Sequence, residues 1–172
     1  MKTLLTIFSV LLLSSGMQQQ KEISSYKVSF DIKNAGVTVS GTFKGLQADI
    51  KFDPTKPREG KIIASVAVNT ISTGIAARDR HLNQEEYFDS KNYPRIEMTS
   101  TGISPYPGEE HKYVGSFMLK IKGKQKKINI PFTYKNNVFK TEFEINRRDF
   151  GVGGSSFLIG DVATVRVEVK VE

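Results

Sequence analysis

The sequence predicts an all-β fold whose antiparallel strands close over one apolar face, as a sandwich or a barrel. Apolar residues recur at every second position over most of the chain, which is the period of a strand with one buried face. The residues between them are polar, for example Arg166, Glu168 and Lys170 in the last segment. The outer face is therefore solvated, which argues against an outer-membrane barrel, where apolar residues point outward to lipid.

Nine segments alternate in this way, and turn-type sequences rich in Gly, Pro, Asn and Asp separate them. In chain order they are 26–32, 37–43, 48–52, 62–68, one beginning at 96, 113–121, 128–134, 139–145 and 165–171. A barrel of eight or nine strands is just wide enough to be filled by its own side chains or to hold one slim ligand. The period alone does not distinguish these two interiors.

The alternation stops between residues 69 and 94, an interval too long for an ordinary hairpin. Ile75 and Leu82 lie seven residues apart, on one face of a helix, and Asn83 followed by Glu86 is typical of a second helical turn. The proline that ends the interval returns the chain to extended geometry. We predict a short helical crossover at one end of the barrel.

The N-terminus has the pattern of a secretory signal peptide. Lys2 precedes an apolar run at 4–13, about half the length of a membrane-spanning helix, and small residues follow. We predict a signal peptide at 1–20, cleaved near Gly16, and a single exported domain at 21–172 with no integral membrane segment. The predicted location is periplasmic or secreted. The chain has no cysteine, so the domain is predicted to fold without disulfides.

No constellation in the sequence calls for an enzyme, a metal or a cofactor. His81 and Glu85 share a helical face, with Asp79 as a third candidate ligand, but zinc and iron sites usually need a second histidine or cysteine. The other histidine, His111, falls in a distant polar loop. The basic cluster at 122–127 has no interleaved aromatic residues, so the sequence predicts no nucleic-acid partner, despite a formal net charge of +7.

Seven segments, in this order, resemble the YceI-like family of exported proteins that bind polyisoprenoids or other lipids. They are V-S-F-D-I-K (28–33), V-S-G-T-F-K-G-L (39–46), I-K-F-D-P (50–54), S-T-G-I-A-A-R-D-R-H-L (72–82), E-Y-F-D-S-K-N-Y-P-R-I (86–96), I-N-R-R-D-F-G-V-G (145–153) and I-G-D-V-A-T-V-R-V-E-V (159–169). The resemblance implies a lipocalin-like, extended antiparallel barrel of about eight strands. It also implies a long apolar tunnel for a hydrocarbon chain.

Within such a tunnel, the inward positions of the alternating segments are the candidate wall. We predict the following ligand-binding residues: Phe30, Val39, Phe43, Ile50, Val66, Met98, Phe117, Leu119, Ile130, Phe132, Phe143, Ile145, Val167 and Val169. In the crossover, Leu82 and Phe88 are expected to face the barrel. Arg78, Asp79 and His81 are expected to hold the crossover by hydrogen bonds and to meet a polar head group at the tunnel mouth.

The leading hypothesis is a carrier that sequesters or transports a long-chain amphiphile, with an isoprenoid as first choice and a fatty-acid-like lipid as another. One alternative is an enzyme acting on a lipid head group through His81 with Asp79 or Glu85. Another is a ligand-free structural or stress-response domain with a filled barrel. The sequence leaves open whether the domain works alone or as a homodimer.

Overall fold

The structure, a computed structural model, describes residues 20–155 and 157–172. The predicted signal peptide lies outside the described residues, apart from Gln20. The strands are β1 (Gln20–Lys21), β2 (Ile23–Asn34), β3 (Val37–Lys51), β4 (Lys61–Ser72), β5 (Arg95–Pro105), β6 (Lys112–Ile121), β7 (Lys124–Lys135), β8 (Val138–Asn146) and β9 (Ile159–Val171). The helices are α1 (Ala76–Leu82) and two 3-10 turns (Pro57–Glu59, Arg147–Phe150), and none of these is long and apolar enough to cross a membrane.

Strands β2 to β9 form a closed antiparallel barrel, which confirms the predicted fold class. The sheet runs in the order β3-β2-β9-β8-β7-β6-β5-β4, and pairing of β3 with β4 closes the ring. Strand β1 is a short extra strand on β3. The even-numbered strands end at one end of the barrel, and the odd-numbered strands from β3 onward begin there. Helix α1 lies at the same end.

Two of the predicted strands, 37–43 and 48–52, are a single strand, β3. The inward positions change phase from Phe43 to Leu46, and in the sequence this change predicts a break between two strands. The structure absorbs this phase change in a β-bulge, because the register slips by one residue between Lys44 and Gln47 relative to β4. Gly45 takes a φ of +66° at the bulge, a conformation that favours glycine.

The helical crossover is present but shorter than predicted. Ile75 precedes α1 instead of lying in it, and its side chain is exposed. Asn83 does not begin a second helical turn, because its side-chain amide donates to the carbonyl of Asp79 at 2.8 Å, so that it caps the C-terminal end of α1. Residues 83–93 continue as a series of turns.

Charged pairs cover the outer face of the barrel. The guanidinium of Arg166 on β9 donates to Asp31 on β2 and to Glu142 on β8, at 2.6 and 2.5 Å. Two hydrogen bonds hold the pKa of Asp31 below its usual value. The one from the Ser40 hydroxyl has the larger effect, followed by the one from Arg166. Both ion pairs are solvent-exposed, so they add little to stability and mainly keep this face polar.

Candidate ligand-binding cavity

The barrel is hollow. A cavity of about 610 Å³ runs through its interior, within the size range of small-molecule sites. Its wall is built almost entirely from inward-facing apolar side chains of all eight barrel strands. The structure thus distinguishes a hollow barrel from a filled one, the point that the period of the strands left open.

All fourteen side chains predicted for the tunnel wall line this cavity. Phe43, Val66 and Phe117 are buried in the wall, whereas Met98 is partly buried at mid-depth, between Ala64 on β4 and Leu119 on β6. Other wall residues were missed. The same alternation indicates some of them (Val28, Ile32, Val165), whereas Leu46 requires knowledge of the bulge and Tyr87 and Val152 come from the connections between strands.

Two glycines explain how phenylalanines can face inward without filling the barrel. A Cβ added to Gly41 would lie 2.3 Å from the ring of Phe30, and one added to Gly115 would lie 2.3 Å from the ring of Phe117. The tip of one ring and the edge of the other therefore occupy the space where a side chain would begin, against the bare backbone of the wall. This arrangement leaves the axis of the barrel open.

The cavity ends at an aromatic cluster formed by Phe52, Tyr113, Phe132, Tyr134 and Phe139, which we call the floor. Phe132 and Phe139 face the cavity, and the other three rings pack behind them. Phe52 lies at the centre, with four ring centroids between 5.0 and 5.8 Å away in edge-to-face geometry. Burial raises the pKa of the Tyr113 phenol, so this group stays neutral. The floor closes this end of the barrel with apolar surface.

The opposite end is the mouth, which we define by the cavity-lining residues Asn34, Thr73, Ala77, Arg78 and His81. Ala77 and His81 are exposed to solvent, whereas Phe132 and Phe139 are buried. Below the mouth, Leu82 and Phe88 line the cavity and pack on its wall, as the sequence analysis expected. The cavity therefore has one polar, accessible end and one closed, apolar end.

Of the three residues predicted at the mouth, Arg78 and His81 line the cavity and Asp79 does not. The Asp79 carboxylate accepts hydrogen bonds from the backbone N–H and the hydroxyl of Thr73. Arg78 donates to the same threonine, from Nε to its hydroxyl at 2.7 Å and from Nη2 to its carbonyl at 2.8 Å. Asp79 thus holds the turn before α1 in place, and Arg78 remains at the opening.

His81 does not pair with either carboxylate proposed for an enzyme. Its Nε2 atom lies 3.5 Å from Glu86, and its ring packs edge-on against Tyr87 with centroids 4.9 Å apart. His111 follows β5 at the floor end, so the two histidines lie at opposite ends of the barrel. Across residues 20–155 and 157–172, no three His, Cys, Asp or Glu side chains are grouped to hold a metal ion.

Sequence reasoning missed Arg147, a buried arginine that lines the cavity near its mouth. Its guanidinium spans the connection between β8 and β9 and donates at 2.8 to 3.1 Å to several acceptors. They are the carbonyls of Val152, Gly153, Gly154, Ile159 and Gly160 and the carboxylate of Asp161. The segment R-R-D-F-G-V-G contributed to the family resemblance, but nothing in its pattern distinguishes the buried arginine from its exposed neighbour.

Arg147→Met is expected to lower the free energy of unfolding by about 2–3 kcal/mol, because it leaves several carbonyls without their charged donor. Arg148 is the matched control: it also pairs with Asp161, but it is half exposed, and Arg148→Met should cost about 0.5 kcal/mol. Urea unfolding measures both variants. Equal losses would contradict the assignment of Arg147 as the residue that holds this connection.

Comparison with known proteins identifies the family. The model of the YceI-like domain matches residues 21–172. The chain belongs to the YceI-like family. A Salmonella arizonae relative named Protein YceI is 27% identical over 136 residues, covering 73% of this chain and 70% of that protein. A UPF0312 protein of Photorhabdus laumondii is 31% identical over 93 residues, covering 54% of this chain and about half (48%) of its own length.

Three solved structures have a similar barrel. BcnA of Burkholderia cenocepacia superposes with a TM-score of 0.80 at 27% identity, over 87% of this chain and 98% of that one. A Campylobacter jejuni YceI protein superposes with a TM-score of 0.67 at 25% identity, over 78% and 85%. A polyisoprenoid binding domain from Saccharophagus degradans has a TM-score of 0.66 over 89% and 97%, and at 15% identity it supports the fold alone.

Proposed function

We propose that this chain is an exported binding protein that holds the hydrocarbon part of one long-chain amphiphile and carries it through a periplasmic or extracellular compartment. The observation that carries the proposal is the apolar cavity inside the barrel, closed at the floor and open at the polar mouth. The signal-peptide pattern at residues 1–20 supports export. The fold is shared with a polyisoprenoid binding domain, so an isoprenoid is included among the ligands to test.

The size of the cavity sets the size of the ligand. A methylene group is similar in volume to a water molecule in the liquid, about 30 Å³, so a cavity of about 610 Å³ has room for a chain of at least roughly twenty carbons. Each methylene transferred from water contributes about 0.8 kcal/mol, so a dozen of them offset much of the entropy lost on association. The proposed ligand is therefore a single long hydrocarbon chain whose inner end lies against the floor.

Titration with cis-parinaric acid, a straight-chain fatty acid that fluoresces in apolar surroundings, tests this proposal. We expect saturable binding with one site and a Kd of about 1 μM or tighter. Geranylgeraniol, an isoprenoid alcohol, should displace the probe, whereas butyric acid should not, because its chain is too short to fill the cavity. If neither long-chain compound binds, the barrel is not a carrier of this class.

The mouth is proposed to contact the head group. Arg78 uses Nε and Nη2 on Thr73, and its Nη1 group has no partner among the described residues, so this group is available to a ligand. We expect Arg78→Met to weaken binding of cis-parinaric acid about fivefold, through loss of a contact to the carboxylate, and to leave binding of geranylgeraniol unchanged.

The comparison of the two ligands separates a head-group contact from a structural effect. If Arg78→Met weakens the binding of both ligands equally, the arginine acts on the shape of the mouth through Thr73 and does not contact the head group.

A further inference from the structure

The most exposed apolar side chains of the described residues all lie at the mouth end. Relative exposures are 111% for Phe157, 67% for Val37, 64% for Leu158 and 53% for Ile75. A soluble domain normally exposes such side chains singly and scattered, and an exposed apolar group concentrated at one place marks an interaction site. We call these four side chains the apolar rim.

The rim is contributed by three separate segments around one opening. Val37 is the first residue of β3, and the turn just before it is joined to the segment before β9 by a hydrogen bond from the N–H of Ala35 to the carbonyl of Leu158 at 2.7 Å. Ile75 precedes α1, two residues before Ala77, which lines the mouth. The rim therefore stands beside the entrance of the cavity.

The floor end differs from the mouth end. Among the described residues, the loops that join strands at the floor expose one large apolar side chain, Tyr106, and the ammonium group of Lys112 lies 4.2 Å from the centre of its ring. Exposed apolar tips are thus a property of the mouth and not of the barrel's loops in general.

At the mouth end, cations without an ion-pair partner outnumber such carboxylates, which are Asp79, Glu85 and Asp89 among the described residues near α1. Lys33, Arg80, Lys122 and Lys124 form no ion pair with any carboxylate of the described residues. On the same side, Asp149 is paired with Lys126, and Asp161 with Arg147 and Arg148. The mouth end thus combines protruding apolar side chains with unpaired cations. This combination complements a surface whose outer layer is anionic and whose interior is apolar.

We propose that the mouth end docks on the surface of a lipid bilayer that contains anionic lipids. The apolar rim enters the boundary between head groups and acyl chains, at a depth of about 5–10 Å, while the surrounding lysines and arginines contact phosphates. A bilayer suits this surface better than a folded partner, because the rim consists of separate protruding tips and not of a continuous face. With the mouth against the membrane, an amphiphile passes between bilayer and cavity without crossing water.

Tryptophan fluorescence tests the orientation directly, because the chain contains no tryptophan. Phe157→Trp places an indole on the rim, and Tyr106→Trp is the matched control at the floor end. Both are mixed with vesicles of brominated phosphatidylcholine and phosphatidylglycerol, whose bromine atoms quench an indole that reaches the acyl chains. We expect strong quenching and a blue shift at position 157 and neither at position 106.

Equal quenching at the two positions, or none at either, would overturn the proposal. Vesicles of brominated phosphatidylcholine alone should bind at least about tenfold more weakly; equal binding would contradict the role of the basic residues. Residues 1–19 are common to both variants, so a difference between them reports the mouth.

A second variant separates docking from ligand binding. The double substitution Val37→Asp and Phe157→Asp should abolish co-sedimentation with the same vesicles and leave the Kd for cis-parinaric acid in solution unchanged. Retained co-sedimentation would contradict docking through the rim. Failure of the wild-type chain to bind cis-parinaric acid would instead contradict the carrier function, whatever the vesicle result.

Discussion

Replacing Met98 with tryptophan is expected to weaken binding of a long-chain amphiphile by at least about a hundredfold, which corresponds to about 2.7 kcal/mol. Met98 lies at mid-depth in the cavity wall. The cavity provides the space for the larger indole, so the domain should remain folded while the path to the floor is blocked. The Kd for cis-parinaric acid reports the effect.

Ile63→Trp is the matched control for this substitution. Ile63 precedes Ala64, the partner of Met98 on β4, and its side chain is exposed on the outer face. The indole there should leave affinity unchanged. If Met98→Trp binds the ligand as tightly as Ile63→Trp does, the hydrocarbon chain does not run past Met98.

Phe52→Ala is expected to have the largest effect on stability, a loss of about 3–5 kcal/mol in the free energy of unfolding. Phe52 is 2% exposed and contacts four other rings of the floor, so its removal leaves a cavity that the neighbouring strands cannot readily close. Urea unfolding with Tyr106→Ala as the control measures it, since Tyr106 is exposed at the same end. A loss below about 1 kcal/mol would show that the floor is not tightly packed.

The wall of the cavity was predictable because a strand has a fixed period. Once one face of each segment is apolar, the inward positions follow, and all fourteen predicted wall residues line the cavity. The empty volume between them was not predictable in this way. It depends on which strands pair to close the barrel, and on the positions where a glycine such as Gly41 lets the ring of Phe30 pack against the backbone.

Other features depend on contacts between distant parts of the chain. The bulge at Gly45 is visible only against β4, and the burial of Arg147 depends on carbonyls that come five to thirteen residues later, from Val152 to Gly160. The sequence predicts Asp79 at the mouth because Arg78 and His81 are predicted there. In the structure its carboxylate instead accepts a hydrogen bond from the backbone N–H of Thr73. The polar residues of the site were therefore harder to predict than the apolar wall, because their roles depend on individual partners.

Export rests on the N-terminal pattern alone and is tested separately from binding. The sequence places cleavage near Gly16. N-terminal sequencing of the protein recovered from the periplasmic or extracellular fraction should find a start close to this position.

The central claim, that the barrel carries one long-chain amphiphile, is tested most directly by organic extraction of the purified protein followed by mass spectrometry. We expect a long-chain species at close to one molecule per chain. The same species should be absent from Met98→Trp prepared in parallel. Protein that is reproducibly empty, whether purified from its native source or after recombinant expression, would contradict the claim.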